Sequence, residues 1–192
     1  MRPALAGVML VAGAAACGQE SECDLAFAGD PGAGPVIELV TPAGGALRSV
    51  EAGDDCALVT APQGGHIVLA AARVRNMSAG PVQLTGWLAD PASGSAFGLE
   101  SRPAELVPAA DGWAEPARPD SLASFANIAA CPSASLPRDV DDQAWSLAVR
   151  VEDCAGRAAE IAVLVTPRCA PDSAELCACQ CDRDYRLGDP CP

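Results

Sequence analysis

Where apolar residues recur regularly in this chain they do so at every second position, and that period commits the chain to strands. The clearest run is Trp145 to Val151, with Trp145, Leu147, Val149 and Val151 on one face. Residues 152–157 (Glu-Asp-Cys-Ala-Gly-Arg) supply a turn, and Ile161 to Val165 returns until Thr166-Pro167. Earlier, Val82, Leu84 and Leu88 alternate with polar or small residues, and His66 to Asn76 is a strong run built on Ile67, Leu69, Ala71 and Val74. Val36 to Val40 reads as a first strand, stopped by Thr41-Pro42-Ala43-Gly44-Gly45. Leu122 to Ala130 is a weaker strand candidate, with a short helix as the alternative. Residues 91–120 carry five prolines and few periodic apolar positions, which predicts irregular backbone with at most a short edge strand. No segment shows a convincing amphipathic helix. The expectation is an all-β domain over residues 36–168, an antiparallel sandwich of about seven strands.

The amino terminus reads as an address. Arg2 is followed by an uncharged, small and apolar stretch from Ala4 to Ala16, of signal-peptide length and too short for a permanent bilayer helix. It ends Gly13-Ala14-Ala15-Ala16-Cys17-Gly18, which resembles the lipobox of bacterial lipoproteins, with Ala14 where that family usually carries leucine. The resemblance implies cleavage before Cys17, acylation of Cys17 and anchoring in a lipid bilayer. Gly18 in place of the aspartate of inner-membrane retention implies the outer membrane. Ordinary secretory cleavage, leaving Cys17 a plain thiol in a secreted or periplasmic protein, is the alternative. Residues 1–16 are thus read as signal and 17–35, punctuated by Gly and Pro, as a flexible tether.

Ten cysteines fit an oxidising compartment. Besides Cys17 these are Cys23, Cys56, Cys131, Cys154, Cys169, Cys177, Cys179, Cys181 and Cys191, all disulfide candidates whose connectivity spacing does not give. Five of them crowd residues 169–192, a Cys-rich tail too short to bury a core of its own. Its Cys177-x-Cys179-x-Cys181 run is read as part of a disulfide knot. The alternative is a soft-metal or thiol-exchange site on those three sulfurs.

The hairpin with its Asp153-x-x-Gly156-Arg157 turn is similar to the last two strands of immunoglobulin-like bacterial domains. Pro62-Gln63-Gly64-Gly65-His66, leading into a strand with Arg73, resembles a segment of envelope lipoproteins from GC-rich Gram-negative bacteria. The likeness spans roughly residues 36–168 and implies an immunoglobulin-like sandwich. Antibody-type domains set a tryptophan over an inter-strand disulfide. Trp87 is the candidate for that tryptophan, but runs 66–76 and 145–151 hold no cysteine.

A formal charge of −13 opposes a phosphate backbone, so nucleic acid is not an expected partner. All twelve basic side chains are arginine, which removes lysine chemistry, and His66 is the single histidine. His66 is read as a strand-entry residue with one hydrogen bond. The acidic stretch 139–142 and the pair Asp54-Asp55 are read as solvated loops, with calcium binding the alternative for the first. Hydrolase, metalloprotease and phosphate-loop motifs are missing. The expectation is a non-enzyme without cofactor, presented on a membrane tether to an envelope protein or glycan. A metal-binding or thiol-redox lipoprotein acting through the tail is the alternative.

Overall fold

The computed structural model describes residues 26–133, 136–171 and 173–191. Cys17, Cys23 and residues 1–16, expected to be a signal, lie outside them. In chain order the strands are β1 Phe27–Ala28, β2 Val36–Ala43, β3 Ala46–Ser49, β4 Asp55–Thr60, β5 His66–Arg75, β6 Met77–Ser78, β7 Gly80–Ala89, β8 Ala96–Pro108, β9 Trp113–Pro116, β10 Ala126–Cys131, β11 Trp145–Asp153 and β12 Ala158–Cys169. One helix follows, α1 Ala174–Cys181.

The body is all-β, but it corrects the sandwich reading. Strands β5, β4, β12, β11, β7, β8 and β9 follow one another as hydrogen-bonded neighbours, and β9 returns to β5, closing a seven-stranded barrel. Two joints close it, and neither leaves a mark in apolar periodicity. One is the parallel pairing of β12 with β4, Thr166 opposite Asp55 through Cys169 opposite Leu58. The other is the short contact of Trp113 and Ala114 with Arg75 and Val74. Long strands change partners along their length. β12 pairs with β11 through Val165 and with β4 from Thr166 onward. The first half of β5 lies between β4 and β10, and its second half between β2 and β9. Such stagger is what a tilted, closed sheet requires.

The expected hairpin is present, with Trp145 opposite Val165 and Val149 opposite Ile161. Its four inward residues, Trp145, Leu147, Val149 and Val151, are buried. β2 runs on through Pro42 to Ala43 and turns at Gly44-Gly45, both at positive φ, into the unanticipated β3. The 91–120 stretch, expected to be irregular, holds the longest described strand, the thirteen-residue β8, and the closing strand β9. Pro103 sits opposite Gln83 on β7, while β8 pairs with β9 only from Leu106 onward. The missing N–H of Pro103 therefore costs no ladder bond on the β9 side. Leu122–Ser124 forms a single 3-10 turn before β10. Within the expected tether, β1 pairs with β6, placing Phe27 opposite Ser78, and Ala28 is buried.

The core rests on aliphatic side chains such as Leu39, Leu58, Val68 and Leu147, with Trp145 and Phe125 the largest fully buried rings. Trp145 meets Phe97 edge to face at 4.8 Å. Trp87 is on the other face of β7 from buried Leu84 and Leu88 and is half exposed, so it is not the core tryptophan of an antibody-like domain.

Candidate functional site

The tail is fastened by sulfur. An α-helix turns about 100° per residue, so Cys177 and Cys181 share one face of α1 while Cys179 points away from them. Cys177 and Cys181 are the only buried residues of the helix. Cys177 is bonded to Cys169 at the end of β12, Cys181 to Cys131 at the end of β10, and Cys179 to Cys191 further along the tail. Cys154, after β11, is disulfide-bonded as well. The three cysteines of the Cys-x-Cys-x-Cys run therefore do not form one donor set. The sulfurs that do converge are those of Cys169, Cys177 and Cys181, all within 4.8 Å of one another. A helix was not foreseen here, because its face is made of cysteine rather than of an apolar stripe.

Cys56 departs from the disulfide expectation. It is a free thiol, buried on β4 opposite Pro167. Burial disfavours the thiolate and pushes its pKa up to about 12, with Arg48 pulling down and Asp55 pushing up only secondarily. At neutral pH this keeps the group in its protonated, weakly nucleophilic form.

Cys56 lines a groove of about 400 Å³ where β2, β3, β4 and the end of β12 meet. Its floor is mainly apolar, from Pro42, Val59 and Leu69, and its rim carries Arg48 and Arg168. Both arginines are held. Arg48 donates to the Asp54 carboxylate at 3.0 Å and to the Asp55 carbonyl at 2.8 Å. Arg168 donates to the Asp55 carboxylate at 3.3 Å and also to Asp142, and these partners raise its pKa. Thus Asp54, Asp55 and Asp142, read from sequence as solvated loop acids, fix the two guanidinium groups. Their neighbours do similar work, since Asp141 accepts the Cys169 amide at 2.9 Å and Asp139 accepts the Arg183 amide at 3.0 Å. The acidic stretch laces the tail to the barrel. With three carboxylates around two guanidinium groups, the rim does not favour an anion.

A second cavity of about 420 Å³ lies beside His66, Cys131, Gln180 and Leu187. His66 is buried at the start of β5, and its Nε2 meets the Gln180 Oε1 at 3.1 Å, while Nδ1 has no partner. Burial lowers the His66 pKa, and the Gln180 bond offsets this in part. The imidazole joins the body to α1 rather than orienting against a carboxylate, hydroxyl or thiol. That satisfies the one-bond strand-entry reading, although the partner, 114 residues away, had no signal in the sequence.

Trp113, in the proline-rich stretch, is half buried and has two guanidinium groups over its ring, Arg75 at 4.7 Å and Arg73 at 5.2 Å from the centroid. Arg73 in turn reaches Glu38 and Glu115, each at 3.6 Å. The arrangement stiffens the β5–β9 joint that closes the barrel.

No protein-family model, curated protein or solved structure matches the chain. Among the described residues no helix is long and apolar enough to cross a membrane.

Proposed function

We propose that the protein is an exported, lipid-anchored module of the bacterial envelope that binds a partner protein or glycan and performs no catalysis. The observation that carries the reading is the way the tail is attached. A helix that buries only Cys177 and Cys181 keeps its place through cross-links, and such cross-links persist where thiols are oxidised. The apolar leader and Cys17 supply the route and the anchor. Cleavage before Cys17 and acylation there would tether the barrel to the outer membrane, and several acyl chains on one residue hold a soluble domain firmly. The groove beside Cys56 is the proposed contact surface. Its apolar floor and charge-compensated arginine rim suit a neutral or weakly polar group of the partner. His66, turned to Gln180, and a protonated, weakly nucleophilic Cys56 support binding over chemistry.

Two measurements test this. Membrane-extracted full-length protein should show the mass of an acylated chain beginning at Cys17, and Cys17→Ser should move it to the soluble fraction. Recovery of the chain from the cytosol with its leader intact would contradict the address. A photo-crosslinking residue at the exposed, groove-lining Ala57 should give a discrete adduct in cells that the same residue at exposed Leu99 does not. Equal labelling from both positions would remove the groove as the site.

A further inference from the structure

Four cysteines meet where the tail lands on the barrel. Cys131 ends β10, Cys169 ends β12, and Cys177 and Cys181 stand one turn apart on α1. We infer that, when reduced, these four thiols form a tetrathiolate site for Zn²⁺ that holds α1 to the barrel in place of the two disulfides. This goes beyond the binding function above and does not depend on it.

Geometry is the first support. In a tetrahedral site with Zn–S of about 2.3 Å, the sulfurs lie about 3.8 Å apart. The Cys177 and Cys181 sulfurs, which are not bonded to each other, already stand 3.9 Å apart. The Cys169 sulfur is within 4.8 Å of both. Cys131 is the present partner of Cys181, with their Cα atoms 4.9 Å apart; its sulfur lies outside the group of three and has to swing in as the fourth ligand when that bond opens. The second support is composition of the contact. Cys177 and Cys181 are fully buried and are all that α1 buries, so in a reduced tail without a metal the helix keeps only polar ties to the body, from Gln180 to His66, from the Cys181 carbonyl to the Val140 amide and from the Arg183 amide to Asp139. Cys179 is excluded by its position on the opposite side of the helix, and Cys56 is not among the sulfurs that converge.

The chemistry balances with a dithiol reductant. Each disulfide accepts two electrons and two protons from one dithiol, which leaves as its own disulfide, and four thiols result. Zn²⁺ then displaces up to four protons as the thiolates bind. Oxidation runs the sequence backward and releases the metal.

The test uses the mature chain reduced anaerobically with a phosphine and titrated with Co²⁺ as a spectroscopic stand-in. One Co²⁺ per chain should bind, with sulfur-to-cobalt charge transfer and the visible bands of a tetrahedral tetrathiolate, and Zn²⁺ should displace it. Cys131→Ser and Cys169→Ser should each weaken binding about tenfold or more, whereas the pair Cys179→Ser with Cys191→Ser should leave it unchanged. A loosened tail gathering metal on its own would show the reverse, indifference to Cys131 and dependence on Cys179 and Cys191, and would overturn the inference. So would the lack of a tetrahedral thiolate spectrum.

Discussion

The carboxylate of Asp153 accepts the backbone N–H of Ser78 at 2.9 Å, joining residues 75 positions apart. Its other oxygen accepts the amides of Ala155 and Arg157, at 3.0 and 2.9 Å, and so shapes the turn between β11 and β12. One buried side chain thus fixes a local turn and pins β6, the partner of β1. Removing a buried acceptor leaves its donors unpaired, at about 1–3 kcal/mol each. Asp153→Ala should destabilise the protein by about 3 kcal/mol and Asp153→Asn by clearly less, measured by urea unfolding. Equal midpoints for wild type and Asp153→Ala would remove Asp153 as the link.

Gly98 and Gly94 separate backbone conformation from space. Both have positive φ, +64° and +72°, where an L side chain costs about 1–2 kcal/mol. A Cβ at Gly94 meets nothing within 4 Å, whereas at Gly98 it would lie 2.2 Å from the Ala129 carbonyl oxygen of β10. That contact cannot be relieved without moving the strand. Gly98→Ala should therefore cost at least about 2 kcal/mol more than Gly94→Ala in thermal unfolding. Similar costs would mean that β10 does not lie so tightly over β8.

His66 gives stability a pH dependence of defined sign. Its folded pKa lies below the ordinary value near 6.5, because burial disfavours the imidazolium. The unfolded chain then binds the proton more readily than the folded one. This contribution is complete above about pH 6.5, falls as the pH drops toward the folded pKa, and levels off below it, with a slope of at most about 1.4 kcal/mol per unit. His66→Gln should flatten the dependence in urea midpoints followed between about pH 7.5 and 5. An unchanged slope in that variant would assign the dependence to other groups.

How far the fold was legible follows from what alternation reports. Trp145, Leu147, Val149 and Val151 announce their strand and its buried face, and Gly156-Arg157 its turn. Alternation says which face of a strand is buried, but a sandwich and a barrel bury faces alike. The choice between them lay in Thr166 meeting Asp55 in parallel and in Trp113 meeting Arg75, pairings between segments distant in sequence. The proline-rich β8 was hidden because Pro103 and Pro108 read as strand breakers, although Pro103 has a partner strand only on its β7 side. Cysteine content pointed correctly to cross-links among Cys131, Cys169, Cys177, Cys179, Cys181 and Cys191, but not to their pairing. Spacing treats Cys177, Cys179 and Cys181 as equals, and only a helix divides them into two facing the barrel and one facing away.

The attachment of the tail to the barrel by Cys131–Cys181 and Cys169–Cys177, with Cys56 left as a thiol, is tested most directly by mass spectrometry. Protein isolated without reduction is treated with a thiol-alkylating reagent, denatured, treated with a second reagent and digested. The expected result is peptides linking those two pairs and Cys179–Cys191, with Cys56 carrying only the second label. Cys56 found in a disulfide, or Cys177 and Cys181 carrying the first label, would contradict it.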